Sequence, residues 1–492
     1  MIPTIQKLWL GLAIAGLIAC NDLDKDYAVN PNLRLGFSVD TLSFDTVFTA
    51  VGSVTRQFMV YNTNKEALNI ETIRLLQDTK SGFRINVDGR NGESFSNVRI
   101  AGNDSLYVFV EVTVDPADEN QPFLLEDKLE FTFNGNRQSV VLQAFGQDVH
   151  LLKGGYVLTQ DTVWPSDRPY LIYDSVTIDP GVTLTIEKGA ILYMHDKAKW
   201  IVNGTLKTIG TIDQPIIFRG DRSDNLTEKI PYDRVPNQWD GLFFGAGSFD
   251  NEMEHTTVRN GRNGLTFAES LPEQTKIRIT NSQITNMGDS LLTAVNCRIE
   301  AVNTEFSNAS KSVVWLTGGT TRFIHCTLAN YFVVNPGRKD NATLTLSNKS
   351  FPLSEASFDN CIIDGSHYGR ELSIDLPEGA KFNYRFNHCA INTKEVEDTA
   401  FVSVQFLQVS YSSPNYYKSI GTAENGLFYD FRLDLMKDKA NKPLENQPII
   451  GKADPAIATQ YPLDRFGIDR TTSEDGPDIG AYEYVPEPEN ED

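Results

Sequence analysis

Six short segments decide the fold: His255-Thr256-Thr257-Val258, Asn281-Ser282-Gln283-Ile284, Asn303-Thr304-Glu305-Phe306, His325-Cys326-Thr327-Leu328, Asn360-Cys361-Ile362-Ile363 and His388-Cys389-Ala390-Ile391. They align as one motif whose first residues stand 26, 22, 22, 35 and 28 positions apart. A repeat of that length carrying one short strand predicts a parallel β-helix, each coil pairing with the coils above and below. The uneven spacing places longer loop insertions toward the C-terminus. Strand alternation turns the second and fourth positions to one face. The fourth column, Val258, Ile284, Phe306, Leu328, Ile363 and Ile391, is apolar throughout and therefore faces inward.

The second column then faces inward too. It is a stack of small residues, Thr256, Ser282, Thr304, Cys326, Cys361 and Cys389, where cysteine serves as a small buried hydrophobe. Neighbours in such a column stand about 4.8 Å apart. A disulfide fits that distance, but side chains projecting in parallel suit its torsion poorly, which favours buried free thiols. Cys297 has no such assignment. Two positions past the apolar column stand Asn260, Asn286, Asn308, Asn330 and Gly365, with Thr393 in the last coil. Asn and Gly tolerate left-handed backbone most readily, so this column is expected to turn the chain between strands.

Upstream, very short strands broken by glycine continue the pattern from Gly155: Val176-Thr177-Ile178, Val182 to Ile186, Ile191-Leu192-Tyr193, Ile201-Val202 and Ile216-Ile217-Phe218. Leu184-Thr185-Ile186-Glu187-Lys188-Gly189-Ala190, Val202-Asn203-Gly204-Thr205-Leu206 and Gln238-Trp239-Asp240-Gly241-Leu242 resemble the entry coils of right-handed parallel β-helix proteins of bacterial surfaces. Phe431-Arg432-Leu433, Asp454-Pro455-Ala456-Ile457 and Gly476-Pro477-Asp478-Ile479-Gly480-Ala481-Tyr482-Glu483-Tyr484 resemble the closing segment of surface proteins with a pectate-lyase-like fold. The resemblance implies a right-handed parallel β-helix over residues 155–484. Residues 485–492 read as a disordered acidic tail.

Before the repeats, alternating strands separated by Asn, Gly and Asp are expected at Thr55–Tyr61, Leu68–Leu75, Phe83–Val87, Leu106–Val114, Lys128–Asn134 and Ser139–Ala144. That spacing predicts a β-sandwich over residues 33–150. Val60-Tyr61-Asn62-Thr63-Asn64, Leu68-Asn69-Ile70, Val112-Thr113-Val114-Asp115-Pro116 and Val140-Val141-Leu142-Gln143-Ala144-Phe145-Gly146 resemble the immunoglobulin-like family of the abnormal-spindle and hydin type. That family is mostly a spacer or interaction module, and its fold licenses no enzymatic role. The whole chain is thus expected to be all-β, an immunoglobulin-like sandwich followed by a β-helix.

At the N-terminus Lys7 precedes the apolar run Leu8 to Ala19, which stops at Leu17-Ile18-Ala19-Cys20. A positive end, a short apolar stretch and a small residue before the break mark residues 1–19 as a cleaved signal peptide. Leu-Ile-Ala-Cys resembles the bacterial lipobox, which implies lipidation of Cys20 and a membrane anchor. Asn21-Asp22-Leu23-Asp24-Lys25-Asp26 resembles the acidic tag that sends Bacteroidetes-type lipoproteins to the outer face of the outer membrane. Residues 20–32 then form a lipidated acidic linker. Asp-(Ser/Thr)-(small or apolar) triplets at Asp40, Asp45, Asp104, Asp161, Asp174, Asp289 and Asp398 resemble O-glycosylation acceptors of the same phylum.

The formal charge of the 492-residue chain is -21, and loss of Lys7 with the signal takes it to -22. With no basic patch in view, nucleic acid is excluded as a partner. A polysaccharide lyase would need carboxylates for Ca²⁺ and a basic residue able to accept a proton. A glycosidase would need two carboxylates facing the scissile bond. The third motif column, Thr257, Gln283, Glu305, Thr327, Ile362 and Ala390, offers no repeated acid. The remaining catalytic candidates are Asp364, His367, Arg370 and Glu371, with Tyr368 and Asp375 beside them, in the insertion after the Cys361 coil. His255, His325 and His388 are separated by intervening coils, too far to share a metal ion, so no metal site is assigned. Tyr368, Tyr411, Tyr416 and Tyr417 are candidates for stacking on sugar rings, Tyr232 is a further aromatic in the insertion from Arg222 to Asn237, and Trp239 reads as core.

These features favour a non-catalytic surface lipoprotein whose β-helix binds a glycan, matrix or partner protein. A polysaccharide lyase or glycoside hydrolase on the same face, and a structural component of a surface assembly, are the alternatives.

Overall fold

The structure, a computed structural model, describes residues 27–49, 51–77, 82–334, 337–375, 377, 382–407, 416–423, 426–438, 440 and 442–486. Cys20 and Tyr411 lie outside the described residues, as do the signal segment and residues 487–492. The chain divides into two compact units, Met1–Asp148 and Val149–Asp492.

The first unit holds two five-stranded sheets. One runs in the order Gly36–Phe37, Arg56–Asn62, Asp104–Val112, Phe83–Val87, Arg90–Gly92, all antiparallel. The other runs Thr41–Phe48, Asn136–Gln147, Phe123–Phe133, Leu68–Leu75, Ser94–Ile100, antiparallel except where Thr41–Phe48 lies parallel to Asn136–Gln147. Both sheets contribute to one apolar core, with Phe58, Val60, Val108 and Val110 from the first and Ile70, Phe131 and Leu142 from the second. The strand Ser94–Ile100 shows no clean alternation because Asn97, at φ 54°, interrupts it.

The second unit is a three-sided parallel β-helix. Its coils pass in turn through sheet A of eleven strands, sheet B of nine and sheet C of ten, beginning with His150–Leu152, Tyr156–Leu158 and Thr162–Trp164. The six motifs supply consecutive strands of sheet A, and the columns stack in register: Val258 beside Ile284, Ile284 beside Phe306, then Leu328, Ile363 and Ile391. All six are fully buried in the solenoid core. In sheet C the rings of Phe323, Phe358, Phe386 and Phe401 continue that core as a stack with centroids 5.0, 5.0 and 5.1 Å apart.

The second column is buried as expected, and the four cysteines of the coils are free thiols. The column's smallness has a polar cause as well. Ser282 Oγ and Thr304 Oγ1 donate to the carbonyls two residues back at 2.7 and 2.8 Å, and the thiols of Cys326 and Cys361 do the same at 3.3 Å.

The chain turns at the expected column in three coils and, more regularly, at a second column that the sequence reading did not assign. All six first-column residues, His255, Asn281, Asn303, His325, Asn360 and His388, have left-handed backbone with φ between 43° and 54°. In the expected column Asn260, Asn286 and Asn308 are left-handed, while Asn330 and Gly365 are not. From Asn251–Glu254 onward, only one or two residues separate the end of each sheet C strand from the next sheet A strand. A single left-handed residue makes so tight a turn, and Asn or His tolerates it better than a β-branched residue would.

Solenoid strands end at Gln405–Phe406. The following segment, residues 416–486, carries an antiparallel hairpin of Tyr417–Ala423 and Gly426–Leu433, a helix Pro455–Gln460 and a 3₁₀ turn Arg470–Thr472. It lies across the outer face of sheet A, where Ile362, Ala390 and Ala329 share a cluster with Tyr416, Phe431, Ile479 and Ala481. Gly480, at φ 103°, passes so close that a Cβ there would stand 2.7 Å from Ile362 Cδ1. First-column side chains grip the same segment: Asn303 Nδ2 donates to the Leu463 carbonyl at 2.8 Å and Arg470 Nη2 donates to Asn303 Oδ1 at 3.1 Å.

Candidate functional site

Asp364 and Glu371 do not share an open site with their sequence neighbours. Asp364 occupies the fifth motif position, which faces outward, and the C-terminal segment buries it completely. Its carboxylate accepts from Tyr416 Oη at 2.5 Å, Tyr331 Oη at 2.8 Å, Asn392 Nδ2 at 3.0 Å and its neighbour Gly365 N at 2.7 Å. Burial raises its pKa, and the two tyrosine hydroxyls and Asn392 pull against that rise. Glu371 is also fully buried, clamped by both terminal nitrogens of Arg338 and by Thr343 Oγ1 at 2.6 Å and His367 N at 2.6 Å. A buried ion pair so fully hydrogen-bonded joins loops. His367 and Arg370 remain nearer solvent and face Asp340, at 4.0 and 3.0 Å. Tyr368 is exposed.

The tyrosines Tyr416 and Tyr417 are likewise unavailable to a sugar. Each is 3% exposed, and the Tyr417 ring packs against Tyr331 and Phe431 at 6.2 and 5.1 Å. They belong to the cover on sheet A because the third-column residues beneath them have become apolar. Trp239 is core, its Nε1 donating to the Arg259 carbonyl at 2.8 Å. Tyr232 lies under the Arg222 guanidinium at 3.6 Å. Among the described residues no group of three or more His, Cys, Asp or Glu side chains could hold a metal ion, and no helix is long and apolar enough to cross a membrane.

A cleft of about 410 Å³ does open on the outer face of sheet A, between the insertion of residues 222–237 and the C-terminal segment. The insertion contributes Asp233 and Arg234, the sheet Arg259, Gln283, Glu305 and Ser307, the hairpin Asp430 and Arg432, and the last segment Arg465, Phe466 and Tyr482. A small apolar cluster of Ile230, Phe332, Val334 and Phe428 ties the insertion to the hairpin. Four arginines thus meet three carboxylates, in a chain whose net charge is -21.

Each carboxylate is held. Asp233 Oδ1 lies 3.1 Å from Arg219 Nη2 and 3.0 Å from Arg259 Nη2. Glu305 accepts from Gln283 Nε2 at 2.9 Å, Ser307 Oγ at 2.5 Å and Tyr482 Oη. Asp430 is engaged by Arg432 Nε at 2.9 Å and Arg432 Nη2 at 2.5 Å. Burial pushes the Arg234 and Arg259 guanidiniums below the usual arginine range. Arg465 Nη1 donates to Tyr482 Oη at 3.1 Å, and its guanidinium lies over the Phe466 ring at 5.2 Å. Phe466 itself is 44% exposed at the rim.

One signal for this site was present in the sequence. Ile216-Ile217-Phe218-Arg219 is an earlier copy of the sheet A strand, with Phe218 in register with Val258, so Arg219 falls beside Arg259 on the outer face. Two like charges on adjacent rungs need an acid or a ligand between them.

No family model matches the chain. It is 33% identical over 122 residues to the protein bark beetle of Drosophila melanogaster, covering 24% of this chain and 4% of that protein. Among solved structures it is similar to the catalytic unit of a thermostable GH87 α-1,3-glucanase from Streptomyces thermodiastaticus, at 11% identity and a TM-score of 0.20, over 70% of this chain and 87% of that one. It is also similar to an ASH/PapD-like domain of human CEP192, at 11% identity and a TM-score of 0.17, over 26% of this chain and 94% of that one.

Proposed function

We propose that this chain is a lipoprotein held by Cys20 on the outer face of an outer membrane, where an immunoglobulin-like spacer precedes a right-handed β-helix that binds a glycan without cleaving it. The address rests on the run from Lys7 to Cys20 and the acidic residues that follow. Binding rests on one observation: three separate stretches of chain converge on the outer face of sheet A around a cleft rich in fixed donors and acceptors. Sugar hydroxyls need both, and the exposed part of Phe466 adds apolar surface beside them. Cleavage would need a carboxylate at liberty to exchange a proton, whereas Glu305 and Asp430 accept hydrogen bonds at both oxygens and Asp233 is paired with two arginines.

The test is affinity gel electrophoresis of the mature protein in neutral and acidic polysaccharides, with unsaturated-uronate absorbance and reducing ends followed in parallel. Retardation without product is the expected result. Product release lost in Glu305→Gln would replace this reading with a lyase or glycosidase, and no retardation by any glycan would favour a protein partner or a structural role.

A further inference from the structure

Resting on the glycan reading, we infer that the ligand carries an anionic group, a carboxylate or a sulfate ester, and that Arg234 receives it.

Arg234 differs from the other cations of the cleft. Arg259 is paired with Asp233 and Arg432 with Asp430, while Arg465 donates to Tyr482 Oη. Arg234 lies over the Phe428 ring at 4.9 Å, and among the described residues it makes no hydrogen bond or ion pair. Of the acids whose charge it feels, Glu305 and Asp430 spend both oxygens on other donors, and Asp233 Oδ1 pairs with Arg219 and Arg259. A guanidinium resting on an aromatic face keeps its in-plane N–H fork, whose geometry matches carboxylate or sulfate oxygens. Its partial burial strengthens such a contact, because water competes less.

The position is also braced. Arg234 closes a 3₁₀ turn of Tyr232–Arg234, and Gln238 Nε2 donates to the Tyr232 and Val235 carbonyls on either side of it at 2.6 and 2.8 Å. Asn260 Nδ2 donates to the Asp233 carbonyl at 2.8 Å. A held cation with an unspent fork, lining a cleft in an acidic protein, selects for charge on the ligand.

The experiment compares polygalacturonate, its carboxyl-reduced form, dextran sulfate and dextran as ligands for wild type, Arg234→Gln and Arg234→Lys. Wild type should be retarded by one or both charged polymers and by neither uncharged one, with affinity falling as salt rises. Arg234→Gln should weaken that binding at least tenfold, and Arg234→Lys should restore part of it. The polymer retained distinguishes carboxylate from sulfate. Equal retardation by charged and uncharged polymers would overturn the inference while leaving the glycan reading intact. Unchanged binding by Arg234→Gln would also overturn it. Retardation by none of these or any other glycan would remove both. Should Arg234→Gln fail to fold, judged by circular dichroism, Arg234→Lys and the salt titration decide: binding indifferent to both overturns the inference.

Discussion

Asn360 and Asp454 lie 94 residues apart, and the Asn360 side-chain amide holds the Asp454 backbone on both sides: Asp454 N donates to Asn360 Oδ1 at 2.7 Å, and Asn360 Nδ2 donates to the Asp454 carbonyl at 3.3 Å. The same amide faces His325 Nε2 at 3.0 Å in the coil below. Asn360 thus turns a corner at φ 54°, continues the column and fastens the cover. Asn360→Ala loses both hydrogen bonds and places a residue ill suited to that φ. The expected cost is about 3 kcal/mol, read from urea unfolding monitored by tryptophan fluorescence.

Gly480→Ala tests the cover at its closest approach. The added methyl would stand 2.7 Å from Ile362 Cδ1 and 2.8 Å from Thr327 Oγ1 at a φ of 103°. The segment must lift, so limited proteolysis should cut within residues 434–486 well before it does in wild type. Equal digestion rates would show that the contact is not limiting.

His325 is buried, and burial, reinforced by the charge of Arg470, holds its pKa well below the ordinary histidine value. The unfolded chain takes up a proton near pH 6.5 that the folded chain refuses. The unfolded state therefore binds more protons on acidification, and this contribution to stability is lost as pH falls below about 6.5. Asp478 runs the other way: burial pushes its pKa up to about 6, so the folded form holds the extra proton and stability declines as pH rises through that value. His325→Asn keeps a residue tolerant of the corner. Between pH 7.5 and pH 5 the variant should lose less melting temperature than wild type by about 2 °C or more.

Cys361→Ser should be mild, within about 1 kcal/mol, because the Asp359 carbonyl that receives the thiol at 3.3 Å can receive a hydroxyl, as Thr280 receives Ser282. Ellman's reagent should find no reactive thiol among Cys297, Cys326, Cys361 and Cys389 in the native protein, and all four after unfolding. A cost above 3 kcal/mol would mean that sulfur fills volume the hydroxyl cannot.

The solenoid was legible because one column, Val258 to Ile391, repeats a single physical demand at every coil, burial. The corner was legible in part: both flanking columns are rich in Asn and both bend, the expected one at Asn260, Asn286 and Asn308 and the one five residues earlier in all six coils, and composition alone does not say which bends throughout. The cover on sheet A has a sign in the sequence: the third position, polar at Gln283 and Glu305, turns apolar at Ile362 and Ala390, where an exposed face would not. Asp364, His367, Arg370 and Glu371 looked like a cluster because they are adjacent in sequence, yet strand direction sends Asp364 beneath the cover and the turn leaves His367 and Arg370 outside. The cleft escaped for the opposite reason. Arg234, Arg259, Glu305, Arg432 and Phe466 are scattered over more than two hundred residues and share no local pattern.

The cleft's far wall is made by residues 420–482, all of which follow the last solenoid strand, Gln405–Phe406. A chain cut after Phe406 would carry every strand of the solenoid yet leave that flank of sheet A bare, with one wall of the cleft missing. Frameshifts or nonsense changes late in the reading frame would therefore remove the cleft while leaving every coil strand encoded.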